Sequence, residues 1–145
     1  MPVVRAWYTG KRWCIAENGR FEVRFVMASV LAFVDDLFFQ AKILETAKHA
    51  NVDVRTFTTA ETLVAEIKKQ APKLVIVDLN AHNKPLEAIE AVRHAAPDVP
   101  VIAFLSHVQA ELAHRASAAG SSRVMPRSQF TRELATILAQ AKSQS

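Results

Sequence analysis

A chain of 145 residues, half of them hydrophobic, can bury one sizeable core and has no apolar run long enough to cross a bilayer. Three glycines, Gly10, Gly19 and Gly120, cannot spell either common glycine-rich phosphate loop, and the single cysteine, Cys14, excludes an intramolecular disulfide and a thiolate zinc site. The net charge of +4 is uneven: residues 1–26 carry five basic against two acidic residues, whereas 27–145 carry 13 against 12, too near neutrality for the electrostatic footprint of nucleic-acid binding.

Residues 1–26 hold both tryptophans, Trp7 and Trp13, and the only tyrosine, Tyr8, and the composition changes sharply at Met27. No uncharged core of signal-peptide length is followed by a small-residue cleavage site. Phe21 to Val26 alternates like a strand. Two readings stay open: an edge strand or strap over the rest of the chain, or upstream sequence with no selected fold and Met27 as the native start. The expected division is an N-terminal extension, 1–26, poorly ordered or foreign to the native protein, and a domain, 27–145.

From Ala28 the pattern is regular. Ser29 to Val34 is an apolar run that ends in Asp35-Asp36. Leu37 to Ala50 has helical spacing, with Phe39, Ile43, Leu44 and Ala47 on one face. Phe38 and Phe39 diverge by about 100° on that helix, so both cannot face the core. Val52 to Phe57 alternates as a second strand, and Thr58 three residues before Glu61 fits a capping box for a helix buried through Leu63, Val64 and Ile67. Leu74-Val75-Ile76-Val77-Asp78 follows, a run of aliphatic residues bounded by Pro72 and Asn80 that reads as a strand buried on both faces. A third helix is expected over Leu86–Ala95, a fourth strand over Val101–Leu105, and a fourth helix over Ala110–Ala119 with Gly120 as its C-cap. Arg123 to Met125 is a short fifth strand, and Thr131 is placed to cap a last helix to about Lys142. The order is βα five times over, which implies a doubly wound α/β fold: a five-stranded parallel sheet with helices on both faces.

In such a sheet the carboxyl ends of the strands lie along one edge, and chemistry collects there. Asp35 and Asp36 follow the first strand, Asp78 ends the third, Ser106 follows the fourth and Arg127 the fifth. Three clustered carboxylates raise one another's pKa, and a hard divalent cation such as Mg2+ relieves that repulsion while leaving positions for a phosphoryl oxygen. The Ser106 hydroxyl and the Arg127 guanidinium are suited to hold oxygens of a phosphoryl group on Asp78. Asp35-Asp36 as a polar helix start, Ser106 as a cap and Arg127 as a plain surface residue are the ordinary alternatives. His82, His107 and His114 do not have metal-site spacing as a set.

Phe33-Val34-Asp35-Asp36, Leu74 to Leu79, Pro100-Val101-Ile102 with Ser106, and Ala119-Gly120 followed by Phe130 resemble the receiver domain of bacterial response regulators over about 28–142. The resemblance implies the flavodoxin-like receiver topology, Asp78 as phosphoacceptor, and Mg2+ held by Asp35, Asp36, Asp78 and the backbone carbonyl of Asn80. Ser106 and Arg127 would contact the phosphoryl group. It further implies a cytoplasmic, non-enzymatic member of a two-component phosphorelay. A histidine kinase or phosphotransfer protein would be the donor and a downstream partner protein the output, with room for a homodimer and no role for nucleic acid or membrane. Since no output domain follows Lys142, a stand-alone receiver is expected. Arg127 stands where the family has lysine, and Val124 where it often has a switch aromatic. The loop after Asp78 lacks the usual Met-Pro and glycine, and Ser106 to Gly120 is about one residue short. A degenerate pseudo-receiver that binds a partner without phosphorylation is the alternative. An enzyme of similar topology, a hydrolase or flavin protein, is disfavoured by the missing phosphate loops and nucleophile elbow.

Overall fold

The computed structural model describes residues 5–8, 11–15, 21–25, 29–106 and 109–143. The N-terminal segment contributes strands β1 (Arg5–Tyr8), β2 (Lys11–Ile15) and β3 (Phe21–Phe25), paired antiparallel in the order β1-β2-β3. The alternation read at Phe21–Val26 is thus a strand, but its partner is β2 and it is not an edge strand of the parallel sheet. The two strands before it were not expected; β2 lies between β1 and β3 and pairs with both, so β3 is an edge strand of this small sheet.

The main sheet is built from β4 (Val30–Phe33), β5 (Val54–Phe57), β6 (Leu74–Asp78), β7 (Val101–Leu105) and β8 (Arg123–Pro126). All its pairings are parallel, in the order β5-β4-β6-β7-β8. The five connecting helices are α1 (Leu37–Ala50), α2 (Ala60–Lys69), α3 (Pro85–Ala95), α4 (Ala110–Ala119) and α5 (Arg127–Ser143). This is the doubly wound arrangement expected from the βα order.

Period-two alternation explains the two cores. In β4 and the residue after it, Val30, Ala32 and Val34 lie in one core and Leu31 and Phe33 in the other. β6 does the same with Leu74 and Ile76 against Val75 and Val77, and the whole strand is buried, its terminal Asp78 included. One face meets α1 and α5 through Phe39, Ile43, Phe130, Leu134 and Leu138. The other meets α2, α3 and α4 through Leu63, Ile67, Ile89, Val92 and Ala116.

Three local expectations are corrected. Leu44 is 40% exposed, because α1 buries the narrow stripe Phe39, Ile43 and Ala47 and Leu44 falls beside it. Thr59, not Thr58, caps α2: its hydroxyl accepts from the Thr62 backbone N–H. The last helix begins at Arg127, four residues before Thr131, so that Phe130 sits in its first turns and is buried against Phe104. Phe38 is 91% exposed beside a buried Phe39, as the helical angle requires.

Candidate functional site

β4 and β6 are neighbours whose following helices lie on opposite faces of the sheet. Chains leaving adjacent strands in opposite directions open a crevice at the carboxyl edge, the usual ligand position of such folds. Asp35 and Asp36 leave β4 into that crevice, and Asp78 is the last residue of β6.

Each carboxylate has a distinct setting. Asp36 is the N-cap of α1: Oδ1 accepts from the backbone N–H of Phe38 at 3.0 Å and of Phe39 at 3.2 Å. Its Oδ2 lies 3.7 Å from Arg127 Nη1. Asp78 is buried, with Oδ1 accepting from Asn80 N–H at 2.9 Å and Oδ2 accepting from Arg127 Nη2 at 3.2 Å. Asp35 turns to the loop after β6, where Oδ2 accepts from His82 N–H at 2.8 Å and meets His82 Nδ1 at 2.8 Å.

Burial pushes the Asp78 carboxyl above its ordinary value. The Asn80 N–H and the Arg127 charge pull the other way, and Asp35 and Asp36 add repulsion. Desolvation therefore outweighs an ion pair at hydrogen-bond distance. Asp35 is the opposite case. Burial would raise it, but the backbone N–H and ring of His82 together hold it below its ordinary value.

Arg127 rests on an aromatic platform, its guanidinium 4.7 Å from the centre of the Phe39 ring and 5.6 Å from that of Phe104. Phe104 and Phe130 stack at 4.5 Å beneath it. The sequence thus placed Asp35, Asp36, Asp78 and Arg127 correctly at one edge. Ser106 lies at the same edge: its backbone N–H donates to Asn80 Oδ1 at 2.6 Å. The Asn80 amide donates to Gln109 at 3.3 Å, so this side chain ties the loop after β6 to the loop after β7. Three contributors escaped sequence reasoning: the His82 contact with Asp35, the Asn80 side chain, and the ring platform under Arg127. His107 lies outside the described residues.

The donor set is chemically suited to a hard divalent cation, since it offers only carboxylate and carbonyl oxygens. The geometry is otherwise engaged: among the described residues no three His, Cys, Asp or Glu side chains converge on one point. Oδ2 of Asp36 and Oδ2 of Asp78 meet Arg127, and Asp35 meets His82.

Three solved structures set this arrangement in context. The chain is similar to the receiver domain of NtrX from Brucella abortus, at 20% identity and a TM-score of 0.68 over 80% of this chain and 99% of that one. It is similar to the chemotaxis response regulator CheY4 of Vibrio cholerae, at 21% identity and a TM-score of 0.68 over 80% and 99% of the two chains. A BeF3-activated DrrB receiver domain matches at 18% identity and a TM-score of 0.67 over 82% and 100%. No family model matches the chain, and no curated protein does. The fold is therefore that of the CheY-like receiver domain, as the strand-end motifs implied.

Proposed function

We propose that this chain is a receiver-like signalling domain that accepts a phosphoryl group on Asp78 and passes the signal to a partner protein in the cytoplasm. The observation that carries the reading is the buried Asp78 at the carboxyl edge of a receiver fold, near Asp35 and Asp36 and within reach of Arg127. A buried carboxylate beside one cation and two further carboxylates is a setting for phosphoryl chemistry, which needs positioning and charge stabilisation more than covalent help. Among the described residues no helix is long and apolar enough to cross a membrane.

Asp35, Asp36, Asp78 and the Asn80 carbonyl would hold Mg2+. The ion, when bound, neutralises the charge gathered between the carboxylates and the incoming phosphoryl oxygens. The chain's own residues supply the rest. One Asp78 oxygen attacks phosphorus while the bond from phosphorus to a donor histidine nitrogen breaks, the electron pair leaving with the imidazole. Asn80 N–H orients the carboxylate from one side. Arg127 and the Ser106 hydroxyl then hold the phosphoryl oxygens, and the Asn80 side chain fixes the Ser106 loop.

A second reading, a pseudo-receiver that binds its partner without phosphorylation, is favoured by one observation. Every carboxylate already has an internal partner, with an arginine replacing the lysine of the resembling family. Intact mass after incubation with Mg2+ and a small phosphodonor separates the two. A gain of one phosphoryl group in the wild type, lost in Asp78→Asn, supports acceptance on Asp78. No gain in the wild type selects the pseudo-receiver.

A further inference from the structure

Asp36 Oδ2 and Asp78 Oδ2 lie 3.7 Å and 3.2 Å from two nitrogens of one guanidinium. The other oxygen of each carboxylate already accepts backbone N–H groups, from Phe38 and Phe39 at Asp36 and from Asn80 at Asp78, so a divalent ion held by both carboxylates competes with Arg127 for the remaining pair. The space between them is filled by Arg127, whose planar fork reaches both at once. A lysine, with one compact ammonium, spans such a pair less readily.

The seat of Arg127 is built from contacts on one side and unsatisfied on another. Phe39 and Phe104 support the guanidinium face. Its Nε is buried without a hydrogen-bond partner among the described residues, which makes the seat costly apart from the two ion pairs. Removing those carboxylates from reach removes most of what holds the side chain. Arg127 is also the first residue of α5, so a change in its seat acts at that helix terminus.

From this geometry we infer that Arg127 is a tethered resident cation of the acidic crevice and that divalent-ion binding and Arg127 seating exclude one another. Magnesium uptake displaces the guanidinium from Asp36 and Asp78, and the cost of displacement sets a weak affinity. The inference rests on the cation site of the proposed receiver chemistry, and it makes the lysine-to-arginine departure a tuning of metal affinity.

Calorimetric titration of Mg2+ into the full chain, with no phosphodonor present, tests it. Arg127→Met keeps an apolar side chain over the two rings and removes the charge, and should bind Mg2+ at least roughly tenfold more tightly than the wild type. Arg127→Lys, which preserves a cation and should fold where Met does not, should fall between them. An affinity in either folded variant equal to or weaker than that of the wild type overturns the inference. The phosphoryl mass gain of the wild type is measured separately: if it persists while the affinities do not order in this way, only the inference falls. If no variant takes up Mg2+ at tens of millimolar, the cation site falls and the inference with it.

Discussion

Two arginines mark the two edges of the same sheet. At the amino edge, Arg93 in the last turn of α3 donates from Nε to Gly120 O at 2.7 Å, from Nη1 to Pro97 O at 2.7 Å, and from Nη2 to Ser122 Oγ at 3.3 Å. At the carboxyl edge, Arg127 meets two carboxylates. The partners of Arg93 are two fixed backbone carbonyls and a hydroxyl, groups with no second state at ordinary pH. Gly120, at φ 123°, lies so close that a Cβ there would meet Arg93 Cγ at 2.4 Å. The partners of Arg127 are two carboxylates, which can be protonated and which, under the proposed function, would take a metal ion or a phosphoryl group. One side chain type thus closes a clamp on neutral acceptors at one edge and meets titratable carboxylates at the other, and it is the second edge that the proposed function makes switchable.

The largest expected effect falls at the switchable edge. Asp78→Asn should abolish phosphoryl uptake outright, because the amide is a poor nucleophile of nearly the same shape. It should also raise the melting temperature of the metal-free protein at pH 7, since burial disfavours the Asp78 charge. If the variant is stabilised but the wild type never gains mass, the acidic cluster is real and its phosphoryl chemistry is lost. Arg127→Lys would then test whether that departure is responsible.

At the clamp, Arg93→Met should destabilise the fold by roughly 2 kcal/mol, from three hydrogen bonds each worth about 0.5–1.5 kcal/mol net. Urea unfolding should show this loss unchanged between pH 5 and pH 8. A marked pH dependence would erase the contrast between the edges.

Arg127→Met should behave differently. It removes a charge that opposes the raised pKa of Asp78, so Asp78 rises further. A group whose folded pKa is raised costs stability above that value and nothing below its unfolded value, near 3.8. The stability gap between wild type and variant should therefore be open at pH 7 and narrow as pH falls towards 4. A gap constant with pH would mean that Arg127 acts by packing on Phe39 and Phe104 alone.

The smallest effect is expected at Asp35→Asn. The His82 ring is 91% exposed, so the pair is screened and its loss should cost under about 1 kcal/mol. Asp35 is held below 3.8, so its contribution is present above that value and lost as pH falls through the lower folded value. Thermal melts should show a difference at pH 7 that shrinks as pH falls below 3.8.

The βα order was legible because Leu74–Val77 and Val101–Leu105 are too short for helices and too apolar for one-sided strands. The convergence of Asp35, Asp36, Asp78 and Arg127 was legible as well, since a parallel sheet brings its carboxyl ends together whatever the loops do. Pairing within the site was not. The contact between Asp35 and His82 spans 47 residues and depends on the turn after β6, which no periodicity encodes. Strands β1 and β2 mix arginine, lysine and aromatic residues without clean alternation, so their ladder left no pattern to read. The start of α5 was misplaced because Thr131 is a good cap by type, whereas burial of Phe130 decides where the helix begins.

The central claim is that the carboxyl edge is a responsive pocket around Asp78 and the opposite edge a fixed clamp. Nitrogen-15 spectra of the full chain, recorded before and after Mg2+ with beryllofluoride as a phosphoryl mimic, test it most directly. The account predicts large shifts at the Asp78 and Asn80 amides, at Ser106 and at Arg127 Nε, with Arg93 Nε and Ser122 unmoved. Unchanged spectra at the carboxyl edge, or equal shifts at both arginines, would contradict it.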